Sequence, residues 1–119
     1  MSAHIAVLIT TGSAEEGQSI ARALVEERLA ACVNILSPIH SVYRWEGKLQ
    51  CDEETLLVVK TTSHRFEQLS LRVKQLHSYD TPEIVALPLV DGSSEYLDWV
   101  DAQTGPDTTP QASALGKAD

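Results

Sequence analysis

Three runs of the chain are apolar at almost every position: Ile5 to Ile9, Leu56 to Val59, and Ile84 to Val90 with a single Pro88. A strand that meets water on one face alternates polar and apolar residues, so unbroken β-branched and leucine runs predict strands covered on both sides. Only two segments read as good amphipathic helices, enough to cover one face of one small sheet. A second copy of the chain is the simplest cover for the other face. An obligate oligomer is therefore expected, with any site lying between protomers.

The pattern between these runs sets the order of elements. After a strand over His4 to Thr10, Ser13 followed three residues later by Glu16 is a capping-box signature for a helix running to about Ala30. Gly17, Ile20, Ala21, Leu24 and Ala31 share one face of its wheel, and Arg28, in the same sector, is expected to snorkel at the terminus. Cys32 to Trp45 and Lys48 to Thr62 read as partner strands around a Glu46-Gly47 turn, with Pro38 forcing a bulge, edge position or break. Ser63 caps a second helix with Phe66, Leu69, Val73 and Leu76 at steps of three and four. Tyr79 to Pro82 is a turn, Glu83 to Val90 a strand, and Ser93 or Ser94 to about Ala102 a short helix. This is the α+β, ferredoxin-like order βαββαβ with an added C-terminal helix. It places one domain in residues 1–103 and a disordered tail in 104–119, where apolar residues almost vanish.

The 119 residues, 43% hydrophobic, fit a single domain large enough to need no disulfide or structural metal. Nine basic against seventeen acidic residues give a net charge of -8 with no basic cluster. That argues against nucleic acid, because phosphate binding needs clustered Lys and Arg. No segment reads as a signal peptide, and the longest apolar run is far too short for a bilayer. The expectation is a cytoplasmic protein with no membrane partner, whose Cys32 and Cys51 are free thiols.

Five motifs occur in one order: Ala-Ala-Cys-Val-Asn at 30–34, Tyr-Arg-Trp-Glu-Gly-Lys at 43–48, Lys-Thr-Thr at 60–62, Tyr-Asp-Thr-Pro-Glu at 79–83 and Tyr-Leu-Asp-Trp at 96–99. The ordered set resembles the CutA divalent-ion tolerance family over residues 4–103. The resemblance implies a ferredoxin-like protomer assembled as a homotrimer, similar in architecture to the PII signalling proteins, with the long hairpin reaching across to neighbours. It also implies a role in tolerance of divalent metals, copper in particular, while mammalian relatives are linked to acetylcholinesterase anchoring. It establishes no catalytic reaction and names no protein partner for this chain.

Soft and borderline metals take Cys and His ligands, and His4, His40, His64, His77 and the two cysteines form no closely spaced motif. In the copper pattern of some bacterial members of the family, a Cys ends the first strand and two adjacent His follow the second helix. Those positions align here with Ile9, Leu76 and His77. His77 is the resulting candidate ligand for weakly bound Cu(II) or Zn(II). Its other reading is a helix C-terminal histidine that favours the macrodipole when protonated. Hairpin arithmetic supplies a second set. With Glu46 and Gly47 as the turn, Val42 faces Cys51 and His40 faces Glu53, so His40 and Cys51 are diagonal neighbours roughly 7 to 8 Å apart. The same register puts Cys32 opposite Thr61, about 33 Å along the strand from Val42, beyond disulfide reach.

Around the same motifs lie Tyr43, Trp45, Glu54, Lys60, Tyr79 and Glu83. Trp45 beside a projecting turn must pack on something, either as an interface aromatic or as the wall of a small-molecule or anion cleft between protomers. Lys60, emerging from an apolar strand, needs a carboxylate such as Glu83 or a ligand anion. A phosphate cradle, a nucleophile elbow and an HExxH motif are all lacking, so no enzyme is expected. Three functions follow: a trimer for divalent-metal tolerance, a PII-like sensor of a small anionic ligand held by Trp45, Glu54, Lys60, Tyr79 and Glu83, or a structural, partner-binding trimer with no ligand.

Overall fold

The computed structural model describes residues 3–106. Its elements are β1 (His4–Thr11), α1 (Ala14–Glu26), β2 (Cys32–Trp45), β3 (Lys48–Thr62), α2 (Phe66–Leu76), β4 (Ile84–Pro88) and α3 (Ser94–Thr104), with a 3-10 turn at Ser63–Arg65 leading into α2. The strands form one antiparallel sheet in the order β2-β3-β1-β4. With α1 and α2 packed on one face, this is the ferredoxin-like arrangement that the element order predicts.

Local chemistry sets the boundaries. The Ser13 hydroxyl accepts the Glu16 backbone N–H at 3.1 Å and closes the N-terminus of α1. That helix ends at Glu26, short of Ala30, because Arg28 adopts left-handed backbone with φ 61°. Nor does Arg28 snorkel. Its guanidinium donates to the carbonyls of Ala102 at 2.6 Å and Gly105 at 2.7 Å, while Arg65 donates to the carbonyl of Thr104 at 2.7 Å. α3 has no basic residue in its own last turn. The two arginines satisfy its terminal carbonyls from outside and supply the positive charge that a helix C-terminus favours. So anchored, α3 continues to the buried Thr104, two residues past its predicted end at Ala102. Residues 107–119, most of the predicted tail, lie outside the described residues.

Glu46 and Gly47 both take positive φ, 52° and 78°, as a two-residue hairpin turn requires. The register near the turn is the predicted one, with Trp45 opposite Lys48, Val42 opposite Cys51 and His40 opposite Glu53. A bulge between Leu36 and Ile39, around Pro38, then shifts it by one residue. Cys32 consequently faces Lys60 rather than Thr61. Both cysteines are free thiols.

Side chains alternate across the sheet. Ile5, Val7 and Ile9 with Leu57 and Val59 meet Ile20 and Leu24 of α1 and Leu69 and Val73 of α2 to form the core. Gly17 permits the close approach of α1, since a Cβ there would lie 3.1 Å from both Thr11 Oγ1 and Thr55 Cγ2. The alternate residues, Leu8, Leu36, Leu56, Val58, Val85 and Leu87, point to the other face. α3 covers one end of that face, where Thr62 meets Thr104 at 3.4 Å and His4 meets Asp101 at 2.9 Å. Leu36, Val85 and Leu87 keep 46%, 48% and 48% of their surface exposed. Within one protomer only Ile84 of β4 packs against the core, and Val85 to Pro88 are exposed.

Candidate functional site

Polar side chains converge where β1 ends. β4 pairs with β1 only as far as Ile9 opposite Ile84, and His77, just past α2, takes over from the strand. Its ring is buried, with Nε2 2.7 Å from the carbonyl of Thr10. The backbone N–H of Tyr79 donates to Nδ1 at 3.0 Å. One acceptor and one donor partner assign the Nε2–H tautomer. The Tyr79 ring lies against the imidazole, centroids 4.7 Å apart. Glu16 of α1 accepts from the Ser78 backbone N–H at 2.7 Å and from the Ser78 hydroxyl at 3.0 Å. Thus the residue expected to complete a capping box instead ties α1 to the loop after α2.

Tyr79 reaches the opposite way and donates to Glu54 Oε2 of β3 at 2.8 Å. Gly12 leaves room for its hydroxyl, since a Cβ there would lie 3.2 Å away. Burial, then the Glu54 hydrogen bond and the negative charges of Glu54 and Glu16, push the Tyr79 phenol up to about 12. Further out on the hairpin, Tyr43 donates to Asp52, and that bond raises the Tyr43 phenol. Two phenols beside Glu16, Asp52 and Glu54 make a negative surface, which opposes an anionic ligand and favours protons or cations.

Of the five cleft residues expected from sequence, the structure brings together Glu54 and Tyr79. Lys60 and Trp45 do not join them within one protomer. Lys60 is six residues from Glu54 along β3, about 20 Å, and donates to Asn34 Oδ1 rather than to Glu83. Trp45 stands about 20 Å away in the other direction, 56% exposed at the hairpin tip. Glu83 is exposed immediately before β4. His77, the metal candidate, has both ring nitrogens engaged within the fold, so a metal would have to displace a buried hydrogen bond. Among the described residues, no group of three or more His, Cys, Asp or Glu side chains is placed to hold a metal ion.

The CutA1 divalent ion tolerance family model matches residues 5–103, from the second residue of β1 almost to the end of α3. The chain belongs to that family. It is 59% identical over 99 residues to the divalent-cation tolerance protein CutA of Thermus thermophilus, covering 83% of this chain and 96% of the relative. A solved structure of the Thermus thermophilus protein superposes with a TM-score of 0.84 at 57% identity, covering 86% of this chain and 99% of that one. The CutA1 structure from Oryza sativa gives 0.85 at 43% identity, covering 87% and 95%. Against the chloroplastic CutA of Arabidopsis thaliana, 47% identical over 100 residues and 84% of this chain, the chain spans 55% of the relative's length.

Membership in the CutA1 family accounts for the Tyr79-to-Glu83 and Lys60-to-Thr62 motifs but does not reveal the contacts Tyr79 and Lys60 make. Glu16, Ser78 and Thr10 were missed as members of the polar cluster because each looks like an ordinary cap, loop or strand residue. The pairing of Tyr43 with Asp52 was legible, since Tyr43 opposite Gln50 leaves Asp52 one diagonal step away. No helix of the described residues is long and apolar enough to cross a membrane.

Proposed function

We propose that this chain works as a non-enzymatic homotrimer in the cytoplasm, contributing to divalent-metal tolerance, copper above all, and binding Cu(II) or Zn(II) weakly. Membership in the CutA1 divalent ion tolerance family supports the metal role. The observation that carries the assembly is the half-exposed apolar strip of Leu36, Val85 and Leu87 on the sheet face opposite α1 and α2. Such a strip, rimmed by a projecting hairpin with exposed Val42, Tyr43 and Trp45, is the surface an obligate oligomer buries. The number three comes from the family resemblance.

Sedimentation equilibrium tests the assembly: a trimer is expected for the wild type, and Leu87→Lys should shift it toward monomer. A folded wild-type monomer at micromolar concentration would refute it. Growth in elevated copper tests the role. Cells lacking this protein should be more sensitive than cells supplied with it, and equal growth would end the tolerance reading.

A further inference from the structure

We propose that an outward groove along α2 docks a partner protein through an extended acidic segment, holding one carboxylate on Arg65 and a nearby apolar side chain on Leu71. The inference goes beyond the metal reading and stands without it. Arg65, Gln68, Arg72 and Gln75 recur at steps of three and four and so form one stripe of α2. With Leu71 and with Glu27, just past α1, they line a hollow of about 310 Å³. None of these residues belongs to the apolar strip or the hairpin assigned to the oligomer. The groove lies on the helix layer and stays open when the opposite face of the sheet is covered.

Charge within the groove is unbalanced. Arg72 is matched: its Nε and Nη2 donate to the Glu27 carboxylate at 2.9 to 3.1 Å, and its Nη1 donates to Gln75 Oε1 at 3.2 Å. Arg65 is held by neutral acceptors only, with Nε donating to the Thr104 carbonyl at 2.7 Å and Nη1 to Gln68 Oε1 at 2.9 Å. Among the described residues, no carboxylate lies within ion-pair distance of it. Both N–H groups of its Nη2 remain to grip an incoming carboxylate, alongside the second N–H of Nη1. The groove is therefore net positive on a chain whose net charge is -8. Over residues 63–76, Arg65, Arg72 and Lys74 are set against Glu67 alone.

An apolar contact defines the partner. Leu71 is 61% exposed beside the stripe, about 9 Å from Arg65 along the axis. In an extended segment, residues two apart project to one side about 7 Å apart, and the long arginine side chain spans the remainder. A carboxylate and an aliphatic side chain at that spacing is the chemistry of a peptide. Glu27 repels a multiply charged phosphate, which disfavours a nucleotide or a lipid headgroup.

Amide chemical-shift mapping on the full-length protein tests the groove, with the end-blocked peptide Ser-Glu-Ser-Leu-Ser as probe. Saturable shifts confined to residues 65–75, with millimolar or tighter affinity, are expected. They should weaken as salt shortens the screening length from about 10 Å at 0.1 M to about 3 Å at 1 M. Replacing Glu by Gln or Leu by Ser in the peptide should each cost at least about fivefold in affinity. Gln68→Glu gives Arg65 a carboxylate one turn away and keeps the Thr104 bond, so it should abolish binding in a folded protein. Arg65→Lys, which keeps the charge and loses the fork, should weaken binding at least about fivefold. Lys74→Gln removes an exposed charge of α2 outside the groove and should leave affinity unchanged. No shift, shifts elsewhere, full-strength binding by Gln68→Glu, or a loss in Lys74→Gln equal to that in Arg65→Lys overturns the proposal. So do stronger shifts of the same amides by inorganic phosphate, which would make the occupant a small anion. Concentration-dependent shifts without peptide would make it another copy of the chain and overturn the proposal equally.

Discussion

Replacing His77 with alanine separates a structural strut from a metal ligand. The imidazole is fully buried and does two jobs: it donates to the Thr10 carbonyl and accepts from the Tyr79 backbone N–H. Thr10 lies one residue beyond the last β1–β4 pair, so β4 provides no substitute donor. Each lost neutral hydrogen bond costs about 0.5–1.5 kcal/mol, and a carbonyl left dry costs about 1–3 kcal/mol. Truncating a buried ring adds the loss of its packing. Water entering the vacated space recovers part of the hydrogen bonding, which places the net cost near 3 kcal/mol. For a domain of this size each kcal/mol lowers the melting temperature by about 4–8 °C, so a fall of about 12 °C or more is expected.

The assay is urea unfolding followed by circular dichroism at fixed protomer concentration, since assembly makes stability depend on concentration. Copper and zinc calorimetry on the same samples completes it. A large stability loss with unchanged metal affinity is the expected result. A variant as stable as wild type that binds metal much more weakly would refute the reasoning and return His77 to the role its position after α2 first suggested.

Other sites are open to the same treatment. Gly17→Ala gains about 1 kcal/mol of helix propensity but sets a methyl 3.1 Å from Thr11 Oγ1 and Thr55 Cγ2. A net loss of about 1–2 kcal/mol in urea unfolding is expected, and a stabilised variant would show that α1 can retreat from the sheet. Arg28→Ala removes two charged hydrogen bonds to the end of α3. About 1–2 kcal/mol, discounted for partial exposure, should be lost, with faster amide exchange from Val100 to Thr104; unchanged exchange would mean the clamp is idle. Tyr79 gives a pH signature: its folded phenol titrates at about 12 against the ordinary 10.0. The folded state holds the proton more tightly, so this contribution is whole below pH 10 and disappears as pH rises to about 12. Tyr79→Phe should flatten the stability loss in that window, and a phenolate absorbance titration showing every tyrosine near pH 10 would contradict the burial argument.

What the sequence made legible divides at Pro38. On the turn side, Glu46-Gly47 fixes the pairing, and arithmetic places His40 opposite Glu53 and Val42 opposite Cys51, as found. Beyond the bulge the same arithmetic is off by one, and in a sheet a one-residue slip moves a side chain to the other face. Uncorrected counting sets Asn34 opposite Val59, on the face away from Lys60; in the structure Asn34 faces Val58 and Cys32 faces Lys60. That slip hid the amide that Lys60 uses, so its charge was assigned to Glu83 or to an anionic ligand. The same limit applies to α1, whose apolar wheel extended through Arg28 because a left-handed residue has no signature in a hydrophobic pattern. Polarity and periodicity reveal strands, helices and the covered face. Contacts between residues as distant in sequence as Glu16 and Ser78, or Arg28 and Gly105, depend on where loops end in space. The hairpin is the part of the chain where local geometry fixes side-chain neighbours directly, as His40 opposite Glu53 and Val42 opposite Cys51 show.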